Sequence, residues 1–347
     1  MGRLAHNMPT WQQLKSNPKL WDIFYLRQKI VSSIREFFQQ KNFLELFTPI
    51  LQPAVIPESY TDIFSTSLYD RNLKKSTRFL IPSPEVSVKK MIAAGLIRGY
   101  EITHCFRNRE SGSNIHHYEF TMLEWYRTQA DYMDILKDFQ NLMLFVAQKI
   151  NGTKLLVFGN KKIDLSLPWK KISMNQALEK HAGISLSNIR GEKISAVARK
   201  KGYSVKKTDT WEEIFNQIFL NEIEPYLGSG SKPTVIYDYP SPLAGLGKLK
   251  EGNPDIVERF EIYIGGLELA DCCSELTDPE EQGLRFRKNL AEIKSFRKNP
   301  VIPDQDFLDA IKTGLPPCAG IAVGLDRLLM LFADKKNLKE TFLTFDS

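Results

Sequence analysis

Apolar and polar residues alternate along this chain with two periods, and each period predicts its own kind of element. From Trp21 to Gln40 the apolar residues Ile23, Leu26, Ile30, Ile34 and Phe37 recur at helical spacing. "ADYMDILKDFQNLMLFVAQKI" repeats that pattern, with Tyr132, Ile135, Leu136, Phe139 and Leu142 on one face. "SPEVSVKKMIAAG" reads as a capped helix, with Ser83 as N-cap, Pro84 in the first turn and Gly95 as the stop. "FLELFTPIL", which contains Pro49, is a short strand-like run. Two longer stretches read as hairpins: "HCFRNRESGSNIHHYEFTMLEWYR" over 104–127 and "RFEIYIGGLELADCCSEL" over 259–276. "TVIYDYP" is a further β-rich run, and "AGIAVGLDRLLMLF" is a strand running into a helix. Residues 1–20 read as a loose arm. Residues 151–233 read as a less patterned stretch with short helices and a Gly-Ser-Gly-Ser break at 228–231. No internal repeat or low-complexity segment is present. Strands that pair mostly as hairpins, with helices between them, predict an antiparallel sheet in an α+β domain.

With 347 residues, 42% of them hydrophobic, the chain has enough for one large domain or two smaller ones. A net charge of +6 suits an anionic ligand or partner but falls short of a nucleic-acid stripe. A surface with spare lysines explains it equally well. None of the cysteines 105, 272, 273 and 318 forms a C-x-x-C pair, which predicts a reduced, cytoplasmic protein with no zinc site. There is no signal-peptide pattern and no apolar run of membrane-spanning length. Asn151-Gly152-Thr153 fits the glycosylation pattern, as short motifs do by chance.

The second hairpin carries the first candidate chemistry. Gly265-Gly266 is a two-residue turn signal. With those glycines as the loop, Tyr263 pairs with Glu268 and Glu261 with Ala270. Glu261 and Glu268 are then diagonal neighbours on one face, roughly 7–8 Å apart at Cβ. Two such carboxylates can share a magnesium ion with phosphate oxygens; two solvated glutamates are the alternative. Strict alternation puts Glu275 on the opposite face from Glu268 unless the strand bulges between 270 and 275.

In the first hairpin Phe120, Met122, Glu124 and Tyr126 share one face, and Arg107 shares a face with Cys105 and Thr103. If both faces lie on one side, a guanidinium and a flat ring together suit a nucleotide. The loop between, with Arg109, His116 and His117, would close over the phosphates; a salt-bridged hairpin is the alternative. Gly320, Ala322 and Gly324 alternate, so one strand face is nearly bare, for a flat ligand or for tight packing. Arg327 follows at a helix start, where backbone amides favour anions. The chain has no G-x-x-x-x-G-K-[ST] loop, and "GLGKLKEG" does not fit G-x-G-x-x-G.

Together these pieces resemble motifs 1, 2 and 3 of class II aminoacyl-tRNA synthetases. Motif 1 corresponds to the helix 21–40 ending at Pro49, motif 2 to "FRNRE…EFTMLEWY" and motif 3 to "GIAVGLDRLLML". "SPE", "FEIYIGGLEL", "SELTDPEEQ" and "GLDR" resemble lysyl-tRNA synthetases in detail. The resemblance covers roughly residues 20–340 and implies a class II antiparallel sheet flanked by helices. It implies a catalytic domain over 21–347, with 151–233 connecting motifs 2 and 3. About twenty residues precede motif 1, and a core without an anticodon-binding OB domain resembles the ligases that attach (R)-β-lysine to elongation factor P. "MLEWYR" and Ala322, where lysyl-tRNA synthetases generally have glycine, match those ligases too.

The resemblance implies that a substrate carboxylate attacks the α-phosphate of ATP, with Mg²⁺ present. Arg107 and Arg327 would be the catalytic cations. Arg107 would hold the α-phosphate and Phe120 would stack on adenine, with Asn108, Arg109, Glu110 and Gly324 in the ATP site. His116, His117 and Arg327 would reach the outer phosphates, and Glu261 and Glu268 would hold magnesium. Glu85, with Ser83 beside it, would take the backbone-type amine of lysine or β-lysine. Glu124, Tyr126 and Glu275 would read the side-chain ammonium, with Glu268, Asp271 and Ala322 completing the pocket. The acceptor implied is elongation factor P in place of tRNA, and the assembly a homodimer through motif 1. A lysine-activating enzyme with another acceptor and a catalytically silent relative are the alternatives. Two departures from the family pattern stand out. Arg109 occupies the glutamate position of "FRNE", with Glu110 one place later. "NGF" is replaced by Asp271-Cys272-Cys273, and a carboxylate at 271 repels the substrate carboxylate unless it is paired or turned away.

Overall fold

The computed structural model describes residues 10–110, 113–296 and 298–341. Its first elements are helices α1 (Thr10–Ser16) and α2 (Asp22–Gln40). Within the expected loose arm, 10–16 is therefore helical, because Leu14 is buried and anchors it; residues 1–9 lie outside the described residues. "FLELFTPIL" splits around Pro49 into β1 (Leu44–Glu45) and β2 (Leu51–Gln52). Next come the hairpin β3 (Ser65–Tyr69) and β4 (Lys75–Leu80), and then α3 (Glu85–Ala93). The cap of α3 sits one residue later than expected. Pro84 already has helical backbone angles and takes the N-cap position, while Ser83 Oγ accepts from the Glu85 amide at 3.1 Å. Gly95, at φ +105°, stops the helix as the sequence predicts.

Strands β5 (Arg98–Phe106) and β6 (Glu119–Thr128) form the first predicted hairpin and lead into α4 (Tyr132–Asn151). The connecting stretch holds β7 (Leu155–Phe158), β8 (Lys161–Asp164), β9 (Lys170–Ser173), α5 (Met174–Ala177), α6 (Lys193–Lys200) and α7 (Trp211–Glu222). It has an apolar core of its own: Ile194, Ile214, Phe215 and Ile218 pack with Leu178 and Ile236. Among its elements α7 carries a clear helical period, with Trp211, Ile214, Phe215, Ile218 and Phe219 on one face, while most of the others are too short to show one. Strands β10 (Thr234–Pro240), β11 (Leu249–Lys250), β12 (Asn253–Ile264) and β13 (Leu267–Ser274) follow. Helices α8 (Pro279–Ser295) and α9 (Gln305–Lys312) were not singled out in the sequence, although the Asp278 side chain caps α8 by accepting from the Glu280 and Glu281 amides. The chain closes through β14 (Cys318–Gly324) and α10 (Leu325–Phe332).

Among the described residues, one sheet runs in the order β1-β5-β6-β14-β13-β12-β10-β9, with β11 paired to β12. Its interior pairs are antiparallel, and the two outermost pairs, β1–β5 and β10–β9, are parallel. This is the mixed α+β architecture expected. One face is covered by α2, α4 and α10, where Phe38, Phe139 and Leu329 pack on Trp125 and Ile321 of the sheet. Side chains alternate along β6, so Leu123 and Trp125 enter this core while Glu124 and Tyr126 take the other face. No helix among the described residues is long and apolar enough to cross a membrane.

The second hairpin departs from the simple register. Tyr263 pairs with Glu268 as expected, but Ile262 pairs with Ala270 and Glu261 with Asp271. Leu269 is thus a bulge, and the Glu261–Ala270 pairing is corrected. The bulge lets the consecutive apolar residues Leu269 and Ala270 both enter the core, where each is 2% exposed.

Candidate active site

Partners across a ladder project to the same side of the sheet. The face opposite the core therefore carries the row Glu101, Glu124, Ala322, Asp271 and Glu261, taken in order from β5 to β12. The adjacent row is Gly99, Tyr126, Gly320, Cys273 and Arg259. The bulge at Leu269 restores parity between Glu268 and this face, and Glu275 lies two residues beyond Cys273. Glu268 and Glu275 therefore share a side, through a bulge just before the expected window. Above these rows is a cavity of about 900 Å³. Ten predicted residues line it: Ser83, Glu85, Arg107, Glu124, Tyr126, Glu261, Glu268, Asp271, Glu275 and Ala322.

One end of the cavity is acidic. Glu124 is 1% exposed and accepts from the Tyr126 hydroxyl at 2.8 Å. Burial, reinforced by repulsion from Glu85, raises the Glu124 carboxyl to about 8. Burial also raises Glu275 to about 7, against the attraction of Lys89. Lys89, buried on α3, meets Glu85 Oε1 at 2.5 Å and also contacts the Glu275 carboxylate. Glu101 is held away from this group, accepting from the amide and hydroxyl of Thr48 at 2.8 and 2.9 Å. The bare face at Gly320 serves tight packing, since a Cβ there would lie 1.9 Å from the Tyr126 ring.

The other predicted residues form a second group. The Arg107 guanidinium lies 5.3 Å from the Phe120 ring centre, so the two expected faces are one side of the sheet. Glu110 approaches Arg107 at 3.8 Å. Arg109 takes a left-handed backbone conformation and pairs with Asp62 at 3.4 Å, while the Asn108 amide donates to the Asp62 carbonyl. Glu110 thus faces Arg107, while Arg109 turns to Asp62. Arg327 donates to the Glu268 carbonyl at 2.9 Å and to its carboxylate at 3.3 Å, and its Nη2 lies 2.9 Å from His116 Nε2. His117 instead bonds locally to the Glu119 carbonyl. Gly324 leads directly into α10; a Cβ on it would lie 3.6 Å from the Arg327 side chain. Asn108, Arg109, Glu110, His116, His117, Phe120, Gly324 and Arg327 do not line the cavity; Glu268 joins Arg327 and His116 to its wall.

Asp271 is paired. Arg259 binds both its carboxylate oxygens and donates to Glu261 Oε1 at 2.8 Å. Tyr263 donates to Glu261 Oε2 at 2.9 Å. Burial, against the pull of Arg259 and with repulsion from Glu268, raises Glu261 to about 8. No group of three or more His, Cys, Asp or Glu among the described residues could hold a metal unaided. Glu261 and Glu268 both line the cavity and carry hard carboxylate oxygens, the donor type that magnesium combines with phosphate oxygens.

Sequence reasoning missed Lys89, Arg259 and Glu58. Lys89 follows Glu85 by four residues on one helix face, and Arg259 precedes Glu261 by two on one strand face; both spacings were legible. Glu58 lines the cavity from an irregular loop and left no periodic signal.

Residues 8–344 match the family of tRNA synthetases class II (D, K and N). The chain is 36% identical to the lysine–tRNA ligase of Carboxydothermus hydrogenoformans over 329 residues, 94% of this chain and 66% of that protein. It is 34% identical to the lysine–tRNA ligase of Pelotomaculum thermopropionicum over 330 residues, 94% of this chain and 64% of the relative. The lysine–tRNA ligase of Moorella thermoacetica is 33% identical over 328 residues, 94% and 65% of the two chains. The chain thus spans slightly under two thirds of the length of these relatives.

Proposed function

The chain belongs to the class II tRNA synthetases of the D, K and N group, and from that premise we propose that it activates lysine or (R)-β-lysine with ATP and transfers the aminoacyl group to a lysine side chain of elongation factor P. One observation carries the activation step: the carboxylates of Glu85, Glu124 and Glu275 line the same cavity as Arg107, which rests on Phe120. Three such carboxylates, Glu124 and Glu275 buried and Glu85 partly so, call for cationic groups of a ligand. A guanidinium over a flat ring suits a phosphate beside a base.

The substrate carboxylate attacks the α-phosphorus, a new P–O bond forms, and pyrophosphate leaves with the electrons of the broken bond. The nucleophile is already ionised, so the protein positions groups and neutralises charge. Arg107 holds the α-phosphate and Phe120 stacks on adenine, with Asn108, Arg109, Glu110 and Gly324 around the nucleotide. Arg327, His116 and His117 face the outer phosphates. Glu261 and Glu268 would hold magnesium, which supplies positive charge to the phosphates. Glu85 and Ser83 take the backbone-type amine, Glu124, Tyr126 and Glu275 the side-chain ammonium, and Glu268, Asp271 and Ala322 complete the pocket. The acceptor amine then attacks the adenylate carbonyl, an amide forms and AMP leaves. The catalytic domain spans 21–347, and two copies pair through α2 and the segment ending at Pro49.

Ala322 supports the β-lysine reading. Its methyl sits on the cavity floor between Glu124 and Asp271, and one methyl shifts discrimination by about 1–3 kcal/mol. Relatives named for charging tRNA favour tRNA as the second candidate acceptor. Pyrophosphate exchange with lysine, β-lysine and asparagine tests activation, and transfer to purified elongation factor P or to tRNA tests the acceptor. Exchange favouring β-lysine, followed by transfer to the protein, is expected. No exchange with any lysine isomer rejects the proposal in favour of a silent relative.

A further inference from the structure

Lys89 is 1% exposed and lies between two carboxylates that line the cavity from different elements. Glu85 opens α3, and Glu275 follows β13 at the edge of the cavity floor. A lysine taken so far out of water is retained only against fixed anionic partners. Glu124 completes the cluster, and Glu85 repels both Glu124 and Glu275. Lys89 meets two of the three carboxylates, and the cluster keeps acidic groups facing the cavity that suit the ammonium groups of a diamino acid. Arg107 is engaged separately, with Glu58 and Glu110 as its anionic neighbours.

We propose that Lys89 is a positioning residue for amino-acid recognition: its ammonium holds Glu85 and Glu275 in place and sets the net charge of the pocket for a substrate with two ammonium groups. This rests on the amino-acid site proposed above. Lys89 does not touch the substrate. It acts through the two carboxylates, so its loss weakens amino-acid binding and leaves the nucleotide group around Arg107 and Arg327 undisturbed.

Steady-state pyrophosphate exchange on the full chain tests this with Lys89→Met. The KM for the amino acid is expected to rise at least about tenfold, as for loss of a charged hydrogen bond, with the KM for ATP changed less than about twofold. Lys89→Ala serves as the second variant, because it opens a space bordered by Glu85 and Glu275. Added ethylammonium should restore its exchange activity, and tetramethylammonium, which has no N–H to donate, should not. If the wild type exchanges with a lysine isomer but Lys89→Met leaves both KM values unchanged or raises them together, the role of Lys89 is overturned. Failure of ethylammonium to rescue Lys89→Ala overturns it as well. A wild type that exchanges with no lysine isomer rejects the site reading itself, which the Lys89 variants do not enter.

Discussion

Arg259 grips Asp271 through two hydrogen bonds, Nε to Oδ1 at 2.8 Å and Nη2 to Oδ2 at 2.9 Å. A carboxylate where the family pattern has asparagine is thereby neutralised, and the same guanidinium binds Glu261. The two carboxylates differ in what they need from it. The Asp271 side chain is 42% exposed and water screens it, while that of Glu261 is only 10% exposed. Asp271→Asn is therefore expected to cost less than about 1 kcal/mol in urea unfolding. Arg259→Met strands Glu261 and should cost about 3 kcal/mol or more. Equal costs would contradict this account.

Glu124 links pH to stability. Its carboxyl is raised to about 8, so between the unfolded value and about pH 8 the folded state binds the extra proton. Stability of the ligand-free protein should then fall as pH rises through that window. Glu124→Gln removes the proton uptake and should flatten the curve, stabilising the protein at pH 8 by on the order of 2 kcal/mol relative to pH 5. Urea midpoints at several pH values measure it. Lysine binding should strengthen over the same window, as Glu124 ionises.

Gly320 and Tyr126 leave each other no slack. A Cβ at 320 would sit 1.9 Å from the Tyr126 ring. Gly320→Ala should displace the ring, cost about 1–3 kcal/mol and, because Tyr126 donates to Glu124, raise the KM for the amino acid more than that for ATP. A thermal-shift series with exchange kinetics would detect both effects.

Arg27 of α2 reaches the neighbours of Phe120 and Arg327, two residues proposed to bind ATP. It donates to Asp326 Oδ1 and to Thr121 Oγ1, both at 2.5 Å, and Asp326 Oδ2 accepts from the Thr121 amide at 2.6 Å. Asp326 precedes Arg327 and Thr121 follows Phe120. Arg27→Ala should raise the KM for ATP about tenfold, the effect of losing bonds to a charged group, and leave the KM for the amino acid nearly unchanged. Exchange kinetics at varied ATP would reveal the split.

Glu268→Gln removes one of the two carboxylates proposed to hold magnesium. The magnesium concentration giving half-maximal exchange should rise several-fold, measured at saturating amino acid because Glu268 also borders the proposed amino-acid pocket. A titration of exchange rate against magnesium decides it.

Local pattern determined much of this protein. The helical repeat of α2 and α4, the two charged hairpins, the Gly265-Gly266 turn and the face shared by Phe120 and Glu124 depend on spacing within one segment, which the sequence displays directly; that Arg107 joins that face was decided by the β5–β6 register. Tertiary structure decided what depends on distant partners. Leu269 bulges because the packed core accepts two consecutive apolar side chains, and that brings Glu275 to the side of Glu268. Asp271 is tolerated because Arg259, on the neighbouring strand, faces it. Lys89 is fixed by Glu275, far away along the chain, and a charge's environment is set by whatever folds against it rather than by its neighbours in sequence.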